Sequence, residues 1–204
     1  MQVSLLGKDF KVMKKTVLFI SILFFLFSSA AWAEEQKIYI NGPVIETKEK
    51  SISVSFNIEV SPSYKEAIRS ELKKEFNVFV DLFRYWNIWP DEFITGKKYI
   101  RTLSIDPIKK EYIGSSFDGE VFVYKRFKSF ESMLKWVLDF KDAFTKDFQG
   151  LDPGSYYVKI TIESKKTGIP SLITDIFFLL PVHEIKLEKR SPFLYWNGKN
   201  IRTR

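Results

Sequence analysis

Apolar and polar residues alternate strictly from Ile52 to Glu59. Ile52, Val54, Phe56 and Ile58 form one set, and Ser53, Ser55, Asn57 and Glu59 the other. A period of two puts one face on a core and the other in water, which predicts a half-buried strand. Residues 37–40 share the rhythm, and Asn41-Gly42-Pro43 carries turn chemistry that predicts a stop before an extended stretch over 44–60. Ser61-Pro62-Ser63 then opens a helix. Ser63 and Glu66 have the spacing of a capping box. Tyr64, Ala67, Ile68, Leu72 and Phe76 recur on one helical face, opposite Lys65, Arg69, Glu71 and Lys73.

Beyond it, β-branched and aromatic residues predict a strand from Val78 to Trp86, broken by residues 87–92, and another over 99–105. Residues 109–117 and 120–127 flank Asp118-Gly119, which predicts a hairpin with a two-residue turn at positive φ. Ser129 caps a second helix, striped by Phe130, Met133, Leu134, Val137, Leu138 and Phe144, with Glu131 at the positive end of its dipole. Alternation returns at Tyr156, Val158, Ile160 and Ile162, and again at Ile185 and Leu187. Residues 172–180 read equally as a short helix or a buried strand. Strands joined by hairpins, with two helices among them, predict an α+β fold: predominantly antiparallel β, a sandwich-like sheet with two amphipathic helices packed on it. No fixed repeat or low-complexity linker divides residues 34–204, which are expected to form a single globular domain.

The N-terminal residues follow a different logic. Lys14 and Lys15 precede an apolar run from Val17 to Phe27, followed by Ser28-Ser29-Ala30 and Ala31-Trp32-Ala33. A positive start, a short apolar stretch and a small-x-small site are the parts of a secretory signal peptide. Residues 1–33 are therefore expected to be one, with Met13 the more natural initiator than Met1. The alternative is an uncleaved inner-membrane anchor, against which the apolar core counts: it is about twelve residues, short of the roughly 20 that a spanning helix needs. Export to the periplasm is the expected localisation. Without residues 1–33, which hold Lys8, Lys11, Lys14, Lys15 and Asp9, the chain keeps 28 basic and 24 acidic side chains, a net charge of +4. Basic residues stand among acids throughout, so nucleic acid is not expected as a partner.

Composition removes several chemistries. There is no cysteine, which excludes disulfides, thiolate metal sites, cysteine nucleophiles and a lipid-modified cysteine anchor. The one histidine, His183, cannot make a multi-histidine metal site, and Leu187 stands where a zinc protease motif needs its second histidine. Ser155, Ser171 and Ser191 lack the Gly-x-Ser-x-Gly context of a nucleophile elbow. Asp118-Gly119 and Asp152-Pro153-Gly154 lack the alternating oxygen ligands of a calcium loop. No Gly-rich phosphate loop is present. No catalytic residue, metal or cofactor is expected. Twenty Phe, nine Tyr and five Trp give the cysteine-free chain a dense aromatic core. The candidate binding residues are also aromatic: Tyr85, Trp86 and Trp89, beside Ile88 and Pro90, and Tyr195 and Trp196 after Phe193. Such residues make sugar-stacking platforms, membrane-interface contacts or protein hot spots. The competing reading is that they cover the open end of the aromatic core.

Three stretches form an ordered pattern: Leu103-Ser-Ile-Asp-Pro-Ile-Lys-Lys-Glu-Tyr112, Phe127-Lys-Ser-Phe-Glu-Ser-Met-Leu134, and Leu151-Asp-Pro-Gly-Ser-Tyr-Tyr-Val158. Arg84-Tyr85-Trp86 precedes them, and Ile169-Pro170 and a Leu-Leu-Pro stretch follow. This order resembles the exported bacterial family known as domain of unknown function 4390, over roughly residues 50–193. The chain departs from that pattern at His183, where the family has a tryptophan, and at Ser104 or Ile105, in place of a tyrosine. The resemblance implies an envelope protein with no assigned activity, and a possible link to envelope-sensing histidine kinases. The expected function is a non-catalytic binding or interaction module of the cell envelope, its partner an envelope protein or glycan. The alternatives are a carboxylate-dependent envelope enzyme, such as a glycan hydrolase, and a membrane-tethered accessory subunit.

Overall fold

The computed structural model describes residues 37–165 and 183–203. The expected signal segment and residues 172–180 lie outside the described residues. In chain order the elements are β1 (Ile38–Lys48), β2 (Ser51–Val60), α1 (Pro62–Ser70), β3 (Lys73–Arg84), β4 (Glu92–Asp106), β5 (Glu111–Phe117) and β6 (Phe122–Phe127). They continue as α2 (Phe130–Leu138), β7 (Asp139–Asp147), β8 (Gly154–Lys165), β9 (His183–Arg190), β10 (Leu194–Trp196) and β11 (Ile201–Thr203). Every strand pairing is antiparallel. The α+β architecture expected from the alternation is present: mostly antiparallel β, two helices, and no closed barrel.

The strands form two sheets. The smaller has the order β1-β2-β7; the larger runs β11-β10-β8-β3-β4-β5-β6, with β9 also on β8. One core lies between them. The inward residues Ile52, Val54, Phe56 and Ile58 of β2 meet Phe76, Val78, Val80 and Leu82 of β3 and Tyr156, Val158, Ile160 and Ile162 of β8 in a single buried cluster. Tyr64 and Ile68 of α1, and Phe130, Met133 and Val137 of α2, join the same cluster. Aromatic rings join the two layers: Phe56 stacks on its cross-strand neighbour Phe140 within the small sheet at 4.6 Å, and Tyr99 of β4 in the large sheet meets Phe140 edge-on at 5.6 Å. No helix among the described residues is long and apolar enough to cross a membrane.

Local differences from the sequence reading have physical causes. The N-cap of α1 is Ser61, not Ser63: the Ser61 hydroxyl accepts from the Tyr64 N–H at 3.3 Å, and Pro62 takes a position where no N–H is needed. The helix ends at Ser70, because from Lys73 onward the period is two. Lys74 occupies an inward strand position, buried, with its ammonium 5.7 Å over the Tyr64 ring and 3.3 Å from Glu71. A charged residue on the core face hides the alternation from a hydropathy reading. The second helix stops at Leu138, and Phe144 belongs to β7. A bulge there sets three residues opposite Ser55, with Asp142 at φ 46°. Two serines of β2 hold it: Ser53 donates to the Asp142 carboxylate at 2.6 Å, and the Asp142 N–H donates to Ser55 at 3.0 Å.

Asn41-Gly42-Pro43 does not stop a strand; it is a bulge within β1, and Gly42 takes φ 102°. The hairpin after β5 has a longer loop than predicted, with Phe117 pairing with Phe122. Gly119 does take a positive φ of 97°. Asp118 sets the loop length by accepting from the N–H groups of Glu120 (3.2 Å) and Val121 (2.8 Å).

Candidate functional site

Strand parity decides which aromatics face water. On β3 the even-numbered residues point into the core, so Phe79, Asp81 and Phe83 lie on the outer face of the large sheet, where Phe83 stands opposite Tyr157 of β8 and Phe93 of β4. The rings stack outward from there. Phe83 lies 5.7 Å from Phe93 and 5.5 Å from Tyr157, Tyr157 is 6.1 Å from Phe193, and Phe193 is 5.0 Å from Tyr85. The two aromatic segments marked by the sequence therefore converge. They meet at a cavity of about 520 Å³ lined by Tyr85, Ser155, Phe193, Tyr195, Arg202 and Thr203.

The marked residues divide. Tyr85 and Tyr195 line the cavity. Trp86 is half-exposed beside it. The Arg84 guanidinium lies 4.3 Å over its ring, its backbone N–H donates to Asp91 (3.3 Å), and its indole N–H donates to Glu92 (3.4 Å). Trp89 and Ile88 project from the β3–β4 loop and are 74% and 87% exposed. Trp196 is not part of the surface. It is 1% exposed, its indole N–H donates to the Leu151 carbonyl at 3.0 Å, and its ring packs 5.9 Å from Phe148. For Trp196 the core-covering alternative holds. The alternation Leu194-Tyr195-Trp196 carried that signal, since Leu194 and Trp196 share a face. His183 begins β9, and its side chain lies outside the described residues.

Phe83, Phe93, Tyr157 and Arg202 were not marked from the sequence. Their signal is the odd-numbered register of β3, legible only once β4 and β8 are placed beside it. Asp91 fastens the loop to this face. Its carboxylate accepts from the Tyr157 hydroxyl at 2.7 Å and lies 3.8 Å from Arg190, whose guanidinium sits 4.8 Å over the Tyr157 ring. Burial, with donation to Asp91, pushes the Tyr157 phenol up to about 12. On the same face, burial raises the Asp81 carboxyl, partly offset by Lys159. The Asp81 carboxylate reaches across to Gly96, where a Cβ would stand 2.1 Å from its oxygen, so any side chain there would displace that carboxylate.

A second groove, of about 680 Å³, runs between the β5–β6 hairpin loop and β7 and holds Asp118, Glu120 and Asp142. Lys97 bonds Asp118 at 2.8 Å, and with the two loop amides it holds that carboxyl well below the usual range. Asp142 is engaged by Ser53. Glycosidic cleavage by paired carboxyls needs one kept protonated as the acid. Asp81, the carboxyl that burial raises among the described residues, does not line this groove. No cluster of metal-ligating side chains occurs among the described residues.

The described residues form a two-sheet antiparallel β fold with two helices and an aromatic outer face, which places the chain among small β-rich α+β domains. Residues 35–190 match the family described as domain of unknown function (DUF4390), and the chain belongs to that family. No curated protein and no solved structure matches it. Two motifs behind the resemblance touch in space. Arg84 of Arg84-Tyr85-Trp86 pairs with Asp152 (3.1 Å) and donates to the Pro153 carbonyl (3.2 Å) of Leu151-Asp152-Pro153-Gly154. Gly154 lets it approach, since a Cβ there would lie 3.2 Å from the guanidinium. The turn is closed again by Tyr156, whose hydroxyl donates to the Asp152 carbonyl at 2.6 Å. This latch positions Trp86 and the loop beyond it.

Proposed function

We propose that this protein is a non-catalytic interaction module of the bacterial cell envelope, and that it binds a protein partner through the aromatic surface around Tyr85, Phe193 and Tyr195. The observation that carries this reading is the convergence of two separate aromatic segments, with Tyr85 and Phe193 in ring contact at 5.0 Å over a cavity that also exposes Tyr195 and Arg202. Exposed aromatics with an arginine and no lysine in the lining suit the composition of a protein hot spot. Arg84, Asp91 and Tyr157 fix the loop before any partner arrives, which lowers the ordering cost of binding. Export rests on the segment from Lys14 to Ala33, which has the parts of a secretory signal.

The test is a crosslinked pull-down from native envelope fractions, with Tyr85→Ala/Tyr195→Ala beside the native chain and Lys109→Ala as a control on a distant loop. One protein recovered with the native chain and the control, and lost with the double variant, supports the reading. Equal recovery with the double variant overturns it. Retention on purified envelope glycans instead of a protein, lost with the same variant, replaces the partner class with a saccharide.

A further inference from the structure

We infer that the partner presents an extended segment in which an aromatic or large apolar side chain and an aspartate or glutamate stand two residues apart. The first enters the cavity and the second meets Arg202, which rests on the reading that the aromatic surface is the binding site. The cavity is a product of strand register. Tyr85 continues β3 by one residue, and its N–H donates to the Ser155 carbonyl of β8 at 2.8 Å. Ser155 stands opposite Tyr195 of β10, and Tyr195 opposite Arg202 of β11. These four side chains form one row across the outer face of the sheet. The small Ser155 lies between two exposed tyrosines, so the surface dips over the serine, and Phe193, 5.0 Å from Tyr85, walls the dip. A ring or branched apolar side chain fits between Tyr85, Phe193 and Tyr195.

Charge sets the other half of the motif. Arg202 is the one charged residue in the lining, which holds no carboxylate, and among the described residues Arg202 has no ion pair. The other arginines of this region are engaged, Arg84 with Asp152 and Arg190 with Asp91. An acidic group on the partner therefore finds Arg202 uncommitted, whereas a basic group meets an uncompensated like charge. The spacing follows from the geometry of sheets and extended chains. Adjacent strands lie about 4.8 Å apart, so Arg202 is roughly 5 Å from Tyr195 and roughly 10 Å from Ser155 along the row. Residues i and i+2 of an extended chain share a face about 7 Å apart, which falls within that interval. A chain-terminal carboxylate fits less well, because its capture uses a nest of free backbone N–H groups. Here the Tyr85 N–H is bonded to Ser155, and the Ile201 N–H, beside Arg202, donates to the Glu49 carbonyl at 3.4 Å.

NMR titration of the isotope-labelled full chain tests this with the blocked tripeptides acetyl-Phe-Ala-Asp-amide and acetyl-Phe-Ala-Asn-amide, and with acetyl-Ala-Phe-Ala bearing a free terminal carboxylate. The aspartyl peptide is expected to bind about fivefold more tightly than the asparaginyl one, with shifts at Ser155, Tyr195 and Arg202. Arg202→Gln is expected to equalise the two, as is added salt. Ser155→Leu fills the dip and is expected to weaken both, with circular dichroism checking the fold of each variant. Equal binding of the two peptides by the native chain, or none, overturns the inference, and so does a preference that survives Arg202→Gln. Tighter binding of the free-carboxylate peptide also overturns it and makes a chain terminus the ligand. The envelope pull-down separates this inference from the reading beneath it. A protein lost with Tyr85→Ala/Tyr195→Ala yet kept with Arg202→Gln overturns the inference alone, and one kept with both variants overturns the reading as well.

Discussion

Trp196 and Trp89 both stand in aromatic, turn-flanked segments, yet the fold assigns them opposite roles, and truncation to alanine separates them. Trp196 is 1% exposed, packs edge-on against Phe148 and donates its indole N–H to the Leu151 carbonyl at 3.0 Å. Removing so large a buried ring costs about 4 kcal/mol in lost transfer energy and cavity. For a domain of this size each kcal/mol lowers Tm by about 2–4 °C, so Trp196→Ala should fall by about 8–16 °C. Trp196→Phe keeps most of the ring but leaves the Leu151 carbonyl without its donor, at about 1–3 kcal/mol. Trp89→Ala should change stability by no more than about 0.5 kcal/mol, since that ring is 74% exposed. Urea and thermal unfolding followed by far-ultraviolet circular dichroism read all three. A Trp196→Ala loss below about 1 kcal/mol, or a Trp89→Ala loss above it, would refute the division into core and surface.

Two further predictions concern pH. Lys97 and the loop amides lower the Asp118 carboxyl, so its contribution to stability is present above about pH 4 and lost as pH falls toward its folded value. Asp118→Asn keeps an oxygen for the loop amides but removes the ion pair; it should cost under about 1 kcal/mol near neutrality and flatten the acid limb of a urea-midpoint profile. An unchanged acid limb would count against the pair. The Tyr157 phenol is raised to about 12 by burial and by donation to Asp91. Its neutral form therefore supports the fold below the ordinary tyrosine value, about pH 10, and that support drains away as pH rises from there toward 12. The difference between native and Tyr157→Phe ultraviolet titrations should locate the missing phenol near 12, and a value near 10 would exclude the bond to Asp91.

What could be read in advance follows from how locally each feature is encoded. The strand Ile52–Ile58 and the cap at Ser129 depend on neighbours within a few residues, and both are present. Phe76 lies four residues beyond Leu72 and Phe144 seven beyond Val137, spacings that a helix face also makes. What placed them in strands was the pairing of β3 with β8 and of β7 with β2, at sequence separations that no local period reports. Lys74 misled for a different reason, since the aromatic ring that accepts its charge lies on another element. The candidate surface was half legible. Trp89 and Ile88 beside Pro90 are exposed, while the rings of Phe83 and Phe93, with Tyr157 buried beside them, come together only through cross-strand register.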